Sequence, residues 1–285
     1  MTVHAFIQRE IIMEQVEETF YFINDQKEAT ENRTIFNQLD GKMIYEVIRV
    51  QQGVALFLED HLERFKASAA ATNLTLTDSD ESISQRIYQL ISVNQVSNKN
   101  IKLILNASKG LLIFFTKTTY PPQEYYLNGM HTTLLKMERI DPNIKTVRND
   151  YQKRVLAERE KQQAYEVLLV DQDNHVTEGS RSNLFIVKHN KLYTSPAKNV
   201  LLGIVRKKTL ALCETLGFEV LEETIPVSKL AEIDGAFITG TGNNILPIQS
   251  IETLTLSSTS NPIIKALMNE YTKLVESYIH SATGR

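Results

Sequence analysis

The sequence is poor in the features that would tie it to an oxidising compartment, a bilayer or a polyanion. One of its 285 residues is cysteine, so an intramolecular disulfide is excluded and a reducing compartment fits. That residue, Cys213, shares the apolar side of a helical pattern with Leu210 and Leu216, as expected of a small buried hydrophobe rather than a nucleophile. No charge of one sign dominates. Against 34 Asp and Glu stand 31 Lys and Arg, a net charge of −3, which predicts neither a nucleic-acid partner nor an anionic membrane surface. Long apolar runs are missing too. The longest, from Gly110 to Phe115, is strand-sized and far short of a bilayer span. The N-terminal MTVHAFIQREIIMEQ has no basic start, and Arg9 and Glu10 interrupt it before it reaches signal-peptide length. The expected location is the cytoplasm, and neither repeats nor low-complexity tracts occur.

What is present, 42% hydrophobic residues, is enough for one large or two moderate domains with a sizeable core. The first part reads as strand-rich, with strands expected at 3–7, 19–23, 43–50, 101–106 and 111–116, each β-branched or aromatic and bounded by polar residues. Two helices lie among them. Leu58, Leu62, Phe65 and Ala69 give one a 3.6-residue period, and Ile83, Ile87, Leu90 and Ile91 give the other, opened by Asp78-Ser79. Tyr120-Pro121-Pro122 marks an extended break. A strand follows at 129–135, then a hinge at Asp141-Pro142. The second half changes rhythm: a helix over 149–164, a strand at 166–170, and a hairpin of 183–188 and 191–194 turning at His189-Asn190. Then come a helix over 203–217, a strand at 218–222, a short helix near 227–231 and a strand at 235–239. Asn261-Pro262 opens a last helix with proline at its first position. The reading is a mixed α/β, α+β chain. A small N-terminal domain over 1–136 precedes a larger C-terminal domain over 137–285, with the site expected between them.

Five segments stand out, and each has a plain structural explanation when taken alone. Arg64 in His61-Leu-Glu-Arg-Phe65 and Lys145 in Pro142-Asn-Ile-Lys-Thr146 would be surface groups. Thr177-Glu-Gly-Ser-Arg-Ser-Asn183 would be an ordinary turn, Gly203 in Leu201-Leu-Gly-Ile-Val-Arg206 a helix start, and Phe237-Ile-Thr-Gly-Thr-Gly242 a strand entering a loop. Together they form one chemical kit. The helix start at Gly203, Ile204 and Val205 offers free N–H groups and a positive dipole end to a phosphate dianion. Gly240-Thr241-Gly242 can bring further donors close, and Arg64 can add a bidentate charged contact. A lysine and a separate buried carboxylate then suit a covalent cofactor bond and a protonated ring nitrogen.

In these motifs and their order the chain resembles the class IV, fold-type IV pyridoxal-phosphate enzymes: branched-chain aminotransferases, D-amino-acid aminotransferases and aminodeoxychorismate lyases. The resemblance runs from about Tyr45 to Ile251. It implies that Lys145 carries pyridoxal 5'-phosphate covalently, that Glu178 pairs with the pyridine nitrogen, and that Arg64 binds phosphate. Gly203, Ile204, Val205, Gly240 and Thr241 complete the phosphate cup, and Tyr45 lines the substrate side. It also implies a homodimer acting on an amino acid and a 2-oxo acid, with no metal, nucleic-acid or membrane partner. Three departures bear on the substrate. The family's Arg-Gly-aromatic run before Tyr45 is reduced here to little beyond Gly41, and Tyr151 follows Asn149-Asp150 instead of a lone asparagine. Between Leu103 and Glu138 there is no arginine and the one histidine is His131, which weighs against a D-specific carboxylate site. The expectation is transfer of the amino group of a small amino acid, branched-chain ones among the candidates, to a 2-oxo acid; the alternative is an aminodeoxychorismate lyase releasing pyruvate.

Overall fold

The computed structural model describes residues 15–139, 142–146 and 149–284. The strand expected at 3–7 and Asp141 of the expected hinge lie outside the described residues. Contacts divide the chain into two compact units. The first comprises the chain up to Thr119, Ile144–Asn149 and the stretch from Ser277 onward; the second comprises Tyr120–Asn143 and Asp150–Glu276. Against the boundary expected after residue 136, the division falls at Thr119, and the short segment holding Lys145 groups with the first unit.

The first unit is built on a six-stranded sheet of β1 (Val16–Ile23), β2 (Gln26–Ala29), β3 (Met43–Gln51), β4 (Val54–Ala55), β5 (Asn98–Asn106) and β6 (Gly110–Thr116), in the order β2-β1-β6-β5-β3-β4. Helices α1 (Leu58–Ala71) and α2 (Asp80–Asn94) cover it. Period-two alternation sorts the strand residues into two cores. Ile44, Ile48, Leu103 and Phe115 pack with Leu62, Phe65, Ile83 and Ile87 of the helices. Met43, Ile104, Leu112 and Phe114 point the other way and meet Tyr21 and Phe36. Ser79 caps α2, accepting the Ser82 N–H at 3.2 Å. α1 begins without such a cap, on Phe57 in the left-handed region. Its Leu58 N–H instead donates to the Tyr278 hydroxyl, 220 residues away, at 3.2 Å, and that hydroxyl donates to Glu59 at 2.8 Å.

The second unit carries a ten-stranded sheet. Its strands are β7 (Met130–Lys136), β8 (Glu166–Val170), β9 (His175–Gly179), β10 (Asn183–Lys188), β11 (Lys191–Thr194), β12 (Val220–Glu222), β13 (Ile225–Pro226), β14 (Gly235–Gly240), β15 (Asn244–Ile251) and β16 (Leu254–Thr255). The order is β12-β11-β10-β14-β15-β7-β8-β9-β13, with β16 against β15. Helices α3 (Gln123–Asn128), α4 (Asn149–Gln162), α5 (Ile204–Thr215) and α6 (Pro262–Thr283) accompany it in sequence. His189 and Asn190 both take positive φ, the two-residue turn that matches strand twist in the β10–β11 hairpin. The Phe185 and Phe237 rings of paired strands stack 5.1 Å apart. Cys213 is fully buried on α5, where burial pushes its thiol up to about 12, so it stays a protonated packing group.

Candidate cofactor and active site

In the first unit, the Lys145 segment is stitched onto β3. The Tyr45 N–H donates to the Lys145 carbonyl at 3.0 Å, and Ile44 bridges Thr146. The backbone of Lys145 is therefore fixed by a strand whose sequence sets its own register through alternating burial. Its ammonium stands 5.0 Å from the centre of the Tyr45 ring, within cation–π range. A second amine, Lys102 on β5, stands 5.2 Å from the same ring and meets Gln15 Oε1 at 3.0 Å. Burial pushes the Lys102 pKa down to about 8.

On the other face of β3, Glu46 is buried beneath α1 at 1% exposure. Its carboxylate takes Arg64 Nε at 2.9 Å and Arg64 Nη2 at 2.6 Å, a bidentate pair, and sits 3.1 Å from His61 Nδ1. Residues 61 and 64 share a helix face because they are three apart. Burial alone would raise the Glu46 pKa, but the Arg64 charge and the His61 bond overcome it and hold the carboxyl well below the usual range. Burial lowers the His61 pKa, so the ring is neutral near pH 7; a carboxylate only accepts, so Nδ1 carries the proton. Arg64 thus spends one edge of its guanidinium on Glu46.

In the second unit, Glu178 ends up at 2% exposure on β9. The Thr177–Gly179 stretch, read from sequence as an ordinary turn, is strand. Arg139 Nε lies 3.0 Å from Glu178 Oε1, while Oε2 accepts from the Leu201 N–H at 3.2 Å and from Asn183 Nδ2 at 3.4 Å. Arg139 also donates to the Ser180 carbonyl at 3.1 Å and lies 5.5 Å over the Tyr151 ring. Tyr151, displaced by one residue from the family pattern, donates its hydroxyl to the same carbonyl at 2.8 Å. Burial raises that phenol's pKa, so it remains a donor. Glu166 binds the loop from below through the Ser180 and Ser182 hydroxyls, the latter at 2.9 Å.

The loop that supplies the Leu201 N–H runs into α5. Gly203 is its N-cap residue and, lacking a side chain, leaves the first helical amides uncapped; the first helical bond runs from the Lys207 N–H to the Gly203 carbonyl at 2.9 Å. Ile204 and Val205 bury their side chains, and the amides at this helix start could serve an anion. Arg206 points elsewhere, to the Ser195 carbonyl and Glu222, each at 3.0 Å. Gly240 and Thr241 begin a four-residue turn closed from the Asn243 N–H to the Gly240 carbonyl at 3.0 Å and braced by the Tyr126 and Tyr165 hydroxyls on Asn243.

The expected residues divide between the units: Tyr45, Arg64 and Lys145 in the first, Glu178, Gly203, Ile204, Val205, Gly240 and Thr241 in the second. Sequence reasoning missed Glu46, Arg139 and Asn183. The signal for Glu46 was a charge at an inward position of an alternating strand; Asn183 closes the Glu-Gly-Ser motif; Arg139 had none.

Comparison with known proteins gives a consistent result. The family model described as "Amino-transferase class IV" matches residues 43–251. A D-alanine aminotransferase of Bacillus licheniformis is 30% identical over 76% of this chain and 82% of its own length. A putative branched-chain-amino-acid aminotransferase of Methanocaldococcus jannaschii is 28% identical over 80% of this chain and 85% of its own. Among solved structures, the branched-chain aminotransferase of Thermoproteus uzoniensis with norvaline superposes with a TM-score of 0.80 at 21% identity, covering 92% of this chain and 96% of that one.

Proposed function

The chain belongs to the class IV aminotransferases, pyridoxal-phosphate enzymes of fold type IV, and from that premise we propose how its own residues divide the work. Amino-group transfer from a small amino acid to a 2-oxo acid is the activity. When bound, pyridoxal phosphate supplies an electron-withdrawing ring that stabilises negative charge at the amino acid's α-carbon. The observation that carries the assignment of residues is the buried Glu178 carboxylate, tied through the Leu201 N–H to the same loop that opens α5. One loop therefore relates a carboxylate suited to a pyridinium N–H to a helix end suited to a phosphate.

Glu178 holds a proton on the ring nitrogen by charge. The amides of Ile204 and Val205, with the Gly240–Thr241 turn and Arg64, hold the phosphate. Lys145 would hold the cofactor covalently, and its amine is the group placed to take and return the proton at the amino acid's α-carbon. Tyr45, whose ring flanks the Lys145 amine, lines the substrate side. Family likeness further supports a homodimer in the cytoplasm. Among the described residues, no helix is long and apolar enough to cross a membrane.

The substrate is tested by incubating the holoenzyme with a panel of L- and D-amino acids, branched-chain ones and D-alanine included, and following the cofactor's absorbance. Conversion to the aminated cofactor with one of them names the substrate and its hand. No conversion, with pyruvate released from aminodeoxychorismate, would replace this reading with the lyase. Borohydride trapping should label Lys145; a label on another lysine overturns its assignment. Sedimentation at twice the chain's mass is expected.

A further inference from the structure

Asn183 is buried at 4% exposure and opens β10, where it pairs with Thr239 at the end of the strand leading into Gly240 and Thr241. Its side-chain nitrogen faces two acceptors: the Leu201 carbonyl at 2.8 Å and Glu178 Oε2 at 3.4 Å. Neither a carbonyl nor a carboxylate donates, so the amide must present its NH₂ to both. The Leu201 N–H donates to that same Oε2 at 3.2 Å, closing a small ring of Asn183, Leu201 and Glu178. The amide oxygen is equally placed. A Cβ built on Gly203 would lie 2.1 Å from Asn183 Oδ1, so the backbone at the start of α5 rests directly against this side chain.

We infer that Asn183 is a positioning residue that couples the two ends of the cofactor site, setting the Glu178 carboxylate and the phosphate-facing start of α5 with a single amide. The inference rests on the reading of Glu178 and of the α5 N-terminus as cofactor-binding groups. A side chain that merely filled space would support the fold without linking these ends. A shared NH₂ makes the orientation of the carboxylate depend on where the 201–203 loop sits. The geometry also accounts for the motif: Asn183 stands five residues after Glu178, across the Gly179–Ser182 loop held by Glu166.

The two ends can be probed separately on the apo-protein. Pyridoxal, which lacks the phosphate, reports the ring end; inorganic phosphate, measured by its competition against pyridoxal phosphate, reports the helix end. Loss of a hydrogen bond to a charged group weakens binding by about tenfold. Asn183→Ala should therefore weaken pyridoxal by about tenfold and inorganic phosphate several-fold, whereas Glu178→Gln should weaken pyridoxal alone. Apo-protein thermal unfolding shows whether each variant folds; should Asn183→Ala fail, Asn183→Ser leaves a smaller polar group in the same space and takes its place. Weakening at one end only, or at neither, overturns the coupling. Unchanged pyridoxal affinity in Glu178→Gln would instead overturn the assignment of Glu178, so the two failures are distinct.

Discussion

At the scale of single residues, the site is a set of charges whose partners lie far away in sequence. Glu46 finds its partners on the next helix, 15 and 18 residues on. Its pKa lies below the ordinary glutamate value of about 4.3, because Arg64 and His61 outweigh burial. A depressed carboxyl contributes stability that is present above its unfolded pKa and lost as pH falls toward its folded one. Glu46→Gln should thus cost about 3–5 kcal/mol at pH 7, the range for a broken buried pair, and its unfolding free energy should fall less steeply than the parent's below about pH 4.3; urea titrations across that range test both. Arg64→Ala removes the other half of the pair, so it should lower stability as well as raise the cofactor's dissociation constant by roughly 10- to 100-fold. Normal cofactor affinity in that variant would make Arg64 a purely structural ion pair. Glu178→Gln acts on activation beyond its effect on ring binding: its amide oxygen can still accept a hydrogen bond yet holds no proton by charge. At full cofactor occupancy its turnover should drop by roughly a hundredfold or more, about 2.7 kcal/mol of barrier. Turnover near that of the parent would reduce Glu178 to a structural residue.

At the scale of elements, the strands and helices with a strong period were legible. β8, β10 and β11 occupy the ranges expected from sequence, and α6 begins at Pro262. Strands without that signal were not. β9 reads as small and polar through Gly179, with Val176 its one apolar residue and that one in the core, and β15 follows a Gly-rich loop that hid its start. The start of α5 depends on Gly203 for close approach to Asn183, not for an unusual φ. Gly203→Ala should therefore cost about 1–3 kcal/mol, the penalty of overpacking a buried site, and should weaken the cofactor in step. A variant that binds and unfolds like the parent would show that Asn183 moves aside freely. The start of α1 depends on a hydroxyl instead. Tyr278→Phe keeps the ring against Phe57, 4.9 Å away, and removes only the cap on Leu58 and the bond to Glu59. Loss of a helix cap costs about 1 kcal/mol, which chemical denaturation can resolve.

At the scale of the whole molecule, the motif order along the chain made the family legible, since five short segments in one sequence carry it. Their grouping in space was less so: a boundary at residue 136 follows from local composition, while the contacts return Ile144–Asn149 and the stretch from Ser277 onward to the first unit. Composition reports where a chain changes character, not where it comes back. That return has a consequence in time. The cap on the first helix of the first unit is a hydroxyl that the ribosome adds 220 residues after the amide it serves. During synthesis α1 must wait, its first turn open to water, while the whole second unit is made, and the first unit is finished last although it is begun first.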